Sequence, residues 1–173
     1  MKKHVKIVIV VLAILFILAS VLVAVNWGSI VKGNEAQEQR TITVVKNGET
    51  IHVFTEAEIL SVRSSKFEAI IRSGGERPRS AVYTGVEIRD LLSAFDIGLD
   101  DGTELLVKGA DAYLASVRED ELEAAENVYI VYEIDGKILL PRAEGGEGPY
   151  QLIIKYDYYS LRWCKYVSEI EIK

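Results

Sequence analysis

The stretch Tyr83–Gly98, YTGVEIRDLLSAFDIG, decides the fold class. Ile88, Leu91, Leu92 and Phe95 recur at the spacing of one helical face. Gly98 offers a left-handed residue to end that helix. On both sides the pattern shortens to apolar, strand-like runs. Upstream, FEAII (67–71) and AVY (81–83) read as strands joined by RSGGERPRS. Downstream, ELLVK (104–108) reads as another. One short helix set among short strands predicts an α+β domain rather than a regular βαβ series.

The same alternation extends outward. TITVV (41–45) and IHVF (51–54) flank Asn47-Gly48, a hairpin signal. Thr55 followed by Glu58 has the spacing of a capping box and opens a short helix to about Val62. Ser116 and Glu119 repeat that spacing ahead of the acidic REDELEAA. VYIVYEI (128–134) reads as a central strand, turned by Asp135-Gly136 into KILL. YQLIIKY and LRWCKYVSEIEI follow as the closing strands, with Tyr166, Ile170 and Ile172 on one parity and Lys165, Val167, Glu169 and Glu171 on the other. Adjacent residues of a strand leave opposite faces, so Cys164 and Lys165 are expected to point apart.

Ile7–Val25, IVIVVLAILFILASVLVAV, has Ser20 as its one polar side chain. A helix of that length rises ~28 Å, close to the ~30 Å hydrocarbon core of a bilayer. Lys2, Lys3 and Lys6 precede it and Trp27 follows, which predicts a cytoplasmic N-terminus and an aromatic anchor at the opposite interface. The competing reading is a cleaved signal peptide. The small-residue positions on offer, Leu22/Ala24, Val25/Trp27 and Trp27/Ser29, make poor cleavage sites, and the apolar run exceeds a signal peptide's usual core. The expected organisation is therefore a signal-anchor over 1–28, a polar tether over 29–40 and a folded domain over 41–173, held outside the cytoplasm by a single pass.

The chain has 173 residues and is 49% hydrophobic, which excludes a disordered polymer. Residues 29–173 carry 17 basic and 26 acidic side chains, a balance of -9, a poor surface for nucleic acid. One cysteine excludes an intrachain disulfide and a multi-cysteine metal cage. His52 reads as a sheet histidine and Cys164 as a small buried hydrophobe. There is no G-x-S-x-G elbow, Rossmann fingerprint or P-loop. Two sets invite a binding role. Arg72, Arg77 and Arg79 sit in a Gly/Pro-rich turn, either a solvated turn or an anion-binding rim. Tyr156, Tyr158, Tyr159, Trp163 and Tyr166 are interleaved with Lys155, Arg162 and Lys165. Those rings either cover a core or offer a partner rigid contact area beside cations.

The order YTGVEIRDLLSAFDIG, GADAYLASV, VYIVYEIDGKILL, GPYQLIIKYDY and LRWCKYVSEIEI resembles the oxidoreductase molybdopterin-binding domain, the core fold of sulfite oxidase and its bacterial relatives. The family counterparts are W/Y-x-G-V-x-L-x-D-L-L, D-G-Y, a hairpin ending D/N-G-x-x-L, G-P-x-R-L-V-x-P-G, and x-V-K-W-V-x-x-I-E-V. The resemblance covers 41–173 and implies a mixed-sheet domain. Lys165 falls on the closing-motif lysine, whose neighbourhood serves the pterin. Tyr166 takes the motif's tryptophan position, and Trp163 lies just before it. Tyr113 falls on the tyrosine of D-G-Y, with Ala112 replacing glycine. Molybdopterin is the implied cofactor, with Lys165, Arg162, Arg142 and Tyr113 as candidate contacts.

The sequence also departs from that pattern. The family's molybdenum-ligating cysteine lies in the region matching KFEAIIRSGGERPRSAV, which has none. Gln151 replaces a common arginine, Lys155-Tyr156-Asp157 replaces V-P-G, and no histidine precedes Gly145-Gly146. A thiolate ligates and tunes a soft metal, so its loss counts against ordinary sulfite-oxidase chemistry. Two readings follow: a membrane-tethered molybdopterin-type oxidoreductase with a degenerate metal site, or a non-catalytic module for a small anionic ligand or a cell-envelope protein.

Overall fold

The structure is a computed structural model describing residues 3–72 and 77–173. Lys2 and the Gly74-Gly75 tip of the arginine-rich turn lie outside the described residues, as do the side chains of Lys3, Lys6 and Trp27. The fold is a mixed α+β domain preceded by one long helix.

Two sheets enclose the principal core. In the first, β1 (Ile42–Lys46) and β2 (Glu49–Phe54) form the Asn47-Gly48 hairpin. It is joined by β10 (Val167–Ile172), β5 (Leu105–Gly109) and β6 (Leu114–Val117) in the order β2-β1-β10-β5-β6. β10 runs parallel to β1 and antiparallel to β5, so the closing strand is the middle of the sheet. In the second sheet β3 (Ser64–Ile71), β4 (Arg79–Glu87), β7 (Val128–Ile134) and β8 (Lys137–Ile138) lie in order, with β9 (Gln151–Ile154) also paired to β7. The short helices α2 (Glu56–Ser61), α3 (Ile88–Ala94) and α4 (Glu119–Glu123) connect them.

The sequence periodicities account for the burial. Ile88, Leu91 and Leu92 of α3 are buried with Ile130, Leu152, Ile154 and Ile170 in the shared core. Phe95 and Ile134 are only partly buried. Phe95 lies beyond the last turn of α3, with its ring 5.2 Å from Phe54 and 5.3 Å from His52. Asp96, at φ 57°, takes the left-handed position expected of Gly98. The Thr55–Glu58 capping box forms as its spacing predicts. The second box is displaced: Ser116 Oγ donates to Glu104, and the Glu121 carboxylate reaches back to the Arg118 N–H at 3.0 Å.

Two further expectations are corrected. LRWCKYVSEIEI is not one strand. Ser160–Arg162 form a 3₁₀ turn, Tyr166 is left-handed at φ 57°, and β10 begins only at Val167. A register shift between Val167 and Glu169 buries Val167 despite its parity. The polar segment 29–40 is also largely helical, because α1 spans Lys3–Glu38 without interruption.

Its last turns dock on the domain through Gly33, Ala36, Gln37 and the following Arg40. A Cβ on Gly33 would come within 2.8 Å of the Ala110 Cα. The Arg142 N–H donates to Gln37 Oε1 at 3.4 Å. Arg40 pairs with Glu56 and donates to the Leu139 carbonyl at 3.2 Å, while the Tyr150 hydroxyl donates to the Arg40 carbonyl at 3.1 Å. Helix propagation adds a backbone hydrogen bond per residue, and this docking gives the polar turns a surface to fold against. Residues 7–24 form a segment long and apolar enough to cross a membrane, and none of it is buried by the domain.

Leu91→Ala should destabilise the domain by ~2–5 kcal/mol, because a fully buried aliphatic side chain leaves a cavity; denaturant titration measures it. Ala112 sits at φ 66° in the β5–β6 turn. Ala112→Gly should therefore raise stability by ~1 kcal/mol, since a left-handed residue with a Cβ is strained by about that amount. An unchanged unfolding midpoint would contradict it.

Candidate functional site

The four residues singled out from the sequence do not converge on one cavity among the described residues. Arg162 lies at the end of its 3₁₀ turn, where its guanidinium is enclosed by the chain's own acceptors. Nη1 donates to Glu121 Oε2 at 3.0 Å and to the Ser116 carbonyl at 3.1 Å, and Nε donates to Asp157 Oδ2 at 3.1 Å. Lys165 is exposed and pairs with Glu147 at 2.7 Å. Arg142 follows Pro141 in a second 3₁₀ turn, with its guanidinium 5.7 Å from the centre of the Tyr166 ring. Tyr113, next to the left-handed Ala112, donates its hydroxyl to the Leu161 carbonyl.

Arg142 thus lies near the ring of Tyr166, the chain neighbour of Lys165, while Arg162 and Tyr113 point to other neighbourhoods. The Pro141–Tyr150 loop is fastened against the same corner. Tyr166 donates its N–H to the Glu147 carbonyl at 3.3 Å, and Val167 donates to the Tyr150 carbonyl at 3.0 Å. Gly148, at φ 95°, lies so close that a Cβ would come within 2.5 Å of the Tyr166 Cα. Glycine is therefore required there by contact as well as by conformation.

Three concavities have distinct linings. A groove of ≈ 680 Å³ between the end of α1 and the first sheet is lined by Lys32, Thr43, Lys108, Tyr113, Leu114 and Glu169 among others. A cleft of ≈ 480 Å³ beside α3 and α4 is acidic, with Asp96, Asp100, Asp101, Glu119 and Glu123. A smaller hollow of ≈ 240 Å³ lies between α1 and Arg142. Among the described residues, no three His, Cys, Asp or Glu side chains are grouped to hold a metal ion.

Cys164 is fully buried, and its Sγ lies 3.3 Å from the Lys165 carbonyl. Burial, with a smaller contribution from the Asp111 carboxylate, pushes the thiol up to about 12. It is therefore a packing group at neutral pH, buried while the neighbouring Lys165 is exposed. His52 is half-buried between Phe54 and Phe95 with Nε2 3.4 Å from Glu58, a sheet histidine as its neighbours suggest.

The arginine-rich turn and the tyrosine segment, separate in sequence, meet in space. Arg72 donates its N–H to Ser160 Oγ at 3.0 Å and accepts from the Ser160 N–H at 3.1 Å. Its guanidinium lies 4.7 Å from the centre of the Tyr158 ring. Trp163 covers the core, packing edge-on against Tyr83 and donating Nε1–H to the Ile154 carbonyl at 3.0 Å. Tyr156, Tyr158 and Tyr159 remain exposed. The core-covering reading therefore holds for Trp163 and not for these three rings. Sequence reasoning named the arginines and the tyrosines but not their pairing. It also missed Glu121, Asp157 and Glu147, the carboxylates that occupy the site cations. Only the alternation of basic and acidic residues hinted at them.

Two measurements test this arrangement. The Arg162 hydrogen bond holds the Glu121 carboxyl below its ordinary value of 4.5. A depressed folded-state value contributes stability above the unfolded value that is lost as pH falls below about 4.5. Arg162→Ala should cost ~1–3 kcal/mol at neutral pH, a figure reduced for its partial exposure, and should flatten the acid limb of the stability profile. Cys164 should resist an aromatic disulfide reagent in the native protein at pH 8 and react at once in denaturant. Fast native labelling would show the thiol to be accessible.

No curated protein matches this chain. A solved structure with a similar fold is the sulfane dehydrogenase SoxCD from Paracoccus pantotrophus, at a TM-score of 0.60 and 19% identity. The similarity covers 76% of this chain and 37% of that one, so the chain spans little more than a third of that protein's length. At this identity the likeness shows the fold. The sequence profile described as the oxidoreductase molybdopterin binding domain matches residues 31–173, and the chain belongs to that family.

Proposed function

We propose that this protein is a membrane-anchored, extracytoplasmic binding module that keeps the molybdopterin-domain fold without redox catalysis. The observation that carries this reading is the state of the would-be cofactor contacts. Arg162 is enclosed by Glu121 and Asp157, Lys165 is paired with Glu147, and the one thiol is buried. A guanidinium committed to two carboxylates has little attraction left for a pterin phosphate. The described part of the β3–β4 connection presents Arg72 and Arg77–Arg79, in the region where family members have the ligating cysteine. These residues do not fit a molybdenum–pterin site of the family kind, and no reaction step is derived through one.

The residues near Tyr166 support a small anionic ligand instead. Arg142 lies near that ring and Lys165 is its chain neighbour, and the Lys165–Glu147 pair is exposed, of the kind worth ~0–1 kcal/mol. An incoming carboxylate or phosphate can displace Glu147 at small cost. A cell-envelope protein bearing such a group is the second form of the same reading. The extracytoplasmic placement rests on the basic flank of the apolar helix.

The deciding experiment is metal and pterin analysis of the full-length protein purified from its native host. The expected result is no stoichiometric molybdenum and no pterin fluorescence after oxidation. Molybdenum near one equivalent would overturn the module reading and restore the oxidoreductase.

A further inference from the structure

The docking of α1 fixes which side of the domain faces the bilayer. From Ala24, the end of the apolar window, to Gly33, the first docking residue, the unbroken helix climbs ~14 Å. The headgroup layer occupies ~5–7 Å on each side of the hydrocarbon. The β5–β6 turn that receives Gly33 is therefore held within about two side-chain lengths of the headgroups, and average helix tilt brings one flank closer.

An exposed apolar strip starts at that turn. Tyr113 is 40% exposed and Leu114 51%. The Tyr113 hydroxyl bonds the Leu161 carbonyl. Leu161 is 65% exposed, Tyr159 59% and Tyr158 67%, with Arg72 over the Tyr158 ring. Five large side chains and a cation whose backbone is bonded to Ser160 form a shaped surface rather than scattered exposure. The charge of the domain is polarised along the same axis. β1 and β10 run away from the α1 end of the first sheet, and Lys46, where β1 finishes, pairs with Asp100 in the acidic cleft. The carboxylate-rich pole thus lies opposite the helix junction.

We infer that Tyr113, Leu114, Leu161, Tyr159 and Tyr158, with Arg72, rest on the headgroup layer of the membrane that α1 spans. Tyrosine prefers this zone because its ring is apolar and its hydroxyl wet. Arg72, and Lys32 in the groove that Tyr113 and Leu114 line, supply attraction to anionic lipid. The inference rests on α1 as an uncleaved anchor, and the test separates the two.

Full-length protein carrying Leu161→Cys, or Glu49→Cys at the opposite pole, is labelled with a fluorophore. It is then reconstituted into phosphatidylcholine–phosphatidylglycerol vesicles containing a headgroup spin-labelled lipid. Unmodified protein, whose Cys164 is buried, sets the labelling background. Flotation with the vesicles first establishes the anchor. In floating protein, the label at 161 should be quenched several-fold more than the label at 49, and Tyr158→Ser/Tyr159→Ser should reduce that excess. Floating protein with equal quenching at both positions overturns the inference while leaving the anchor intact. So does a label at 161 that is unquenched in pure lipid but shielded in native membranes, which would assign the strip to a protein partner.

Discussion

The parallel pairing of β10 with β1 is the constraint on which the domain depends. β10 occupies the centre of the first sheet, with the β1–β2 hairpin on one side and β5–β6 on the other. Neither hairpin pairs with the other, so without the last six strand residues the sheet is two separate ribbons. Two-stranded ribbons are marginal in water, and joining them through one buried strand closes the core. Ile170 and Ile172 are the inward groups of that strand, packed with Val44, Leu105 and Val107. The same pairing sets the start of β10 beside the end of α1, so helix and core meet at one end of the sheet.

Elements whose information is local were legible in the sequence. α3 shows its apolar face, the Asn47-Gly48 and Asp135-Gly136 hairpins show their turns, and Thr55–Glu58 shows its cap. What escaped depends on partners distant in sequence. Nothing in SIVKGNEAQEQR reads as apolar period, yet Gly33, Ala36 and Gln37 share one face of α1 and Arg40 follows just beyond it. They dock by close backbone approach and hydrogen bonding rather than by hydrophobic side chains, so a hydropathy pattern has nothing to register. The last strand was read too long because parity continues through Tyr166, whereas a left-handed backbone there breaks the ladder.

The candidate site divides in the same way. The burial of Cys164 was legible because a lone cysteine among Trp163, Tyr166 and Val167 has apolar company. The fate of Arg162 was not, since Glu121 lies 41 positions away. A cation's availability is a property of its neighbours, and motif matching carries over the cation without them. Family membership accordingly says where a charge sits in the fold and leaves open whether it is already neutralised.

The direction of β10 has a last consequence for access from the outside. Its first residue, Val167, pairs with Gly109 near the α1 junction, and Lys173 donates its N–H to the Glu104 carbonyl at the far end of the sheet. The strand works as a mast of about 16–20 Å, at ~3.3 Å per residue. Its foot stands at the helix and its head at the acidic pole. Anything joined beyond Lys173 leaves the domain from the end of the sheet opposite the α1 junction.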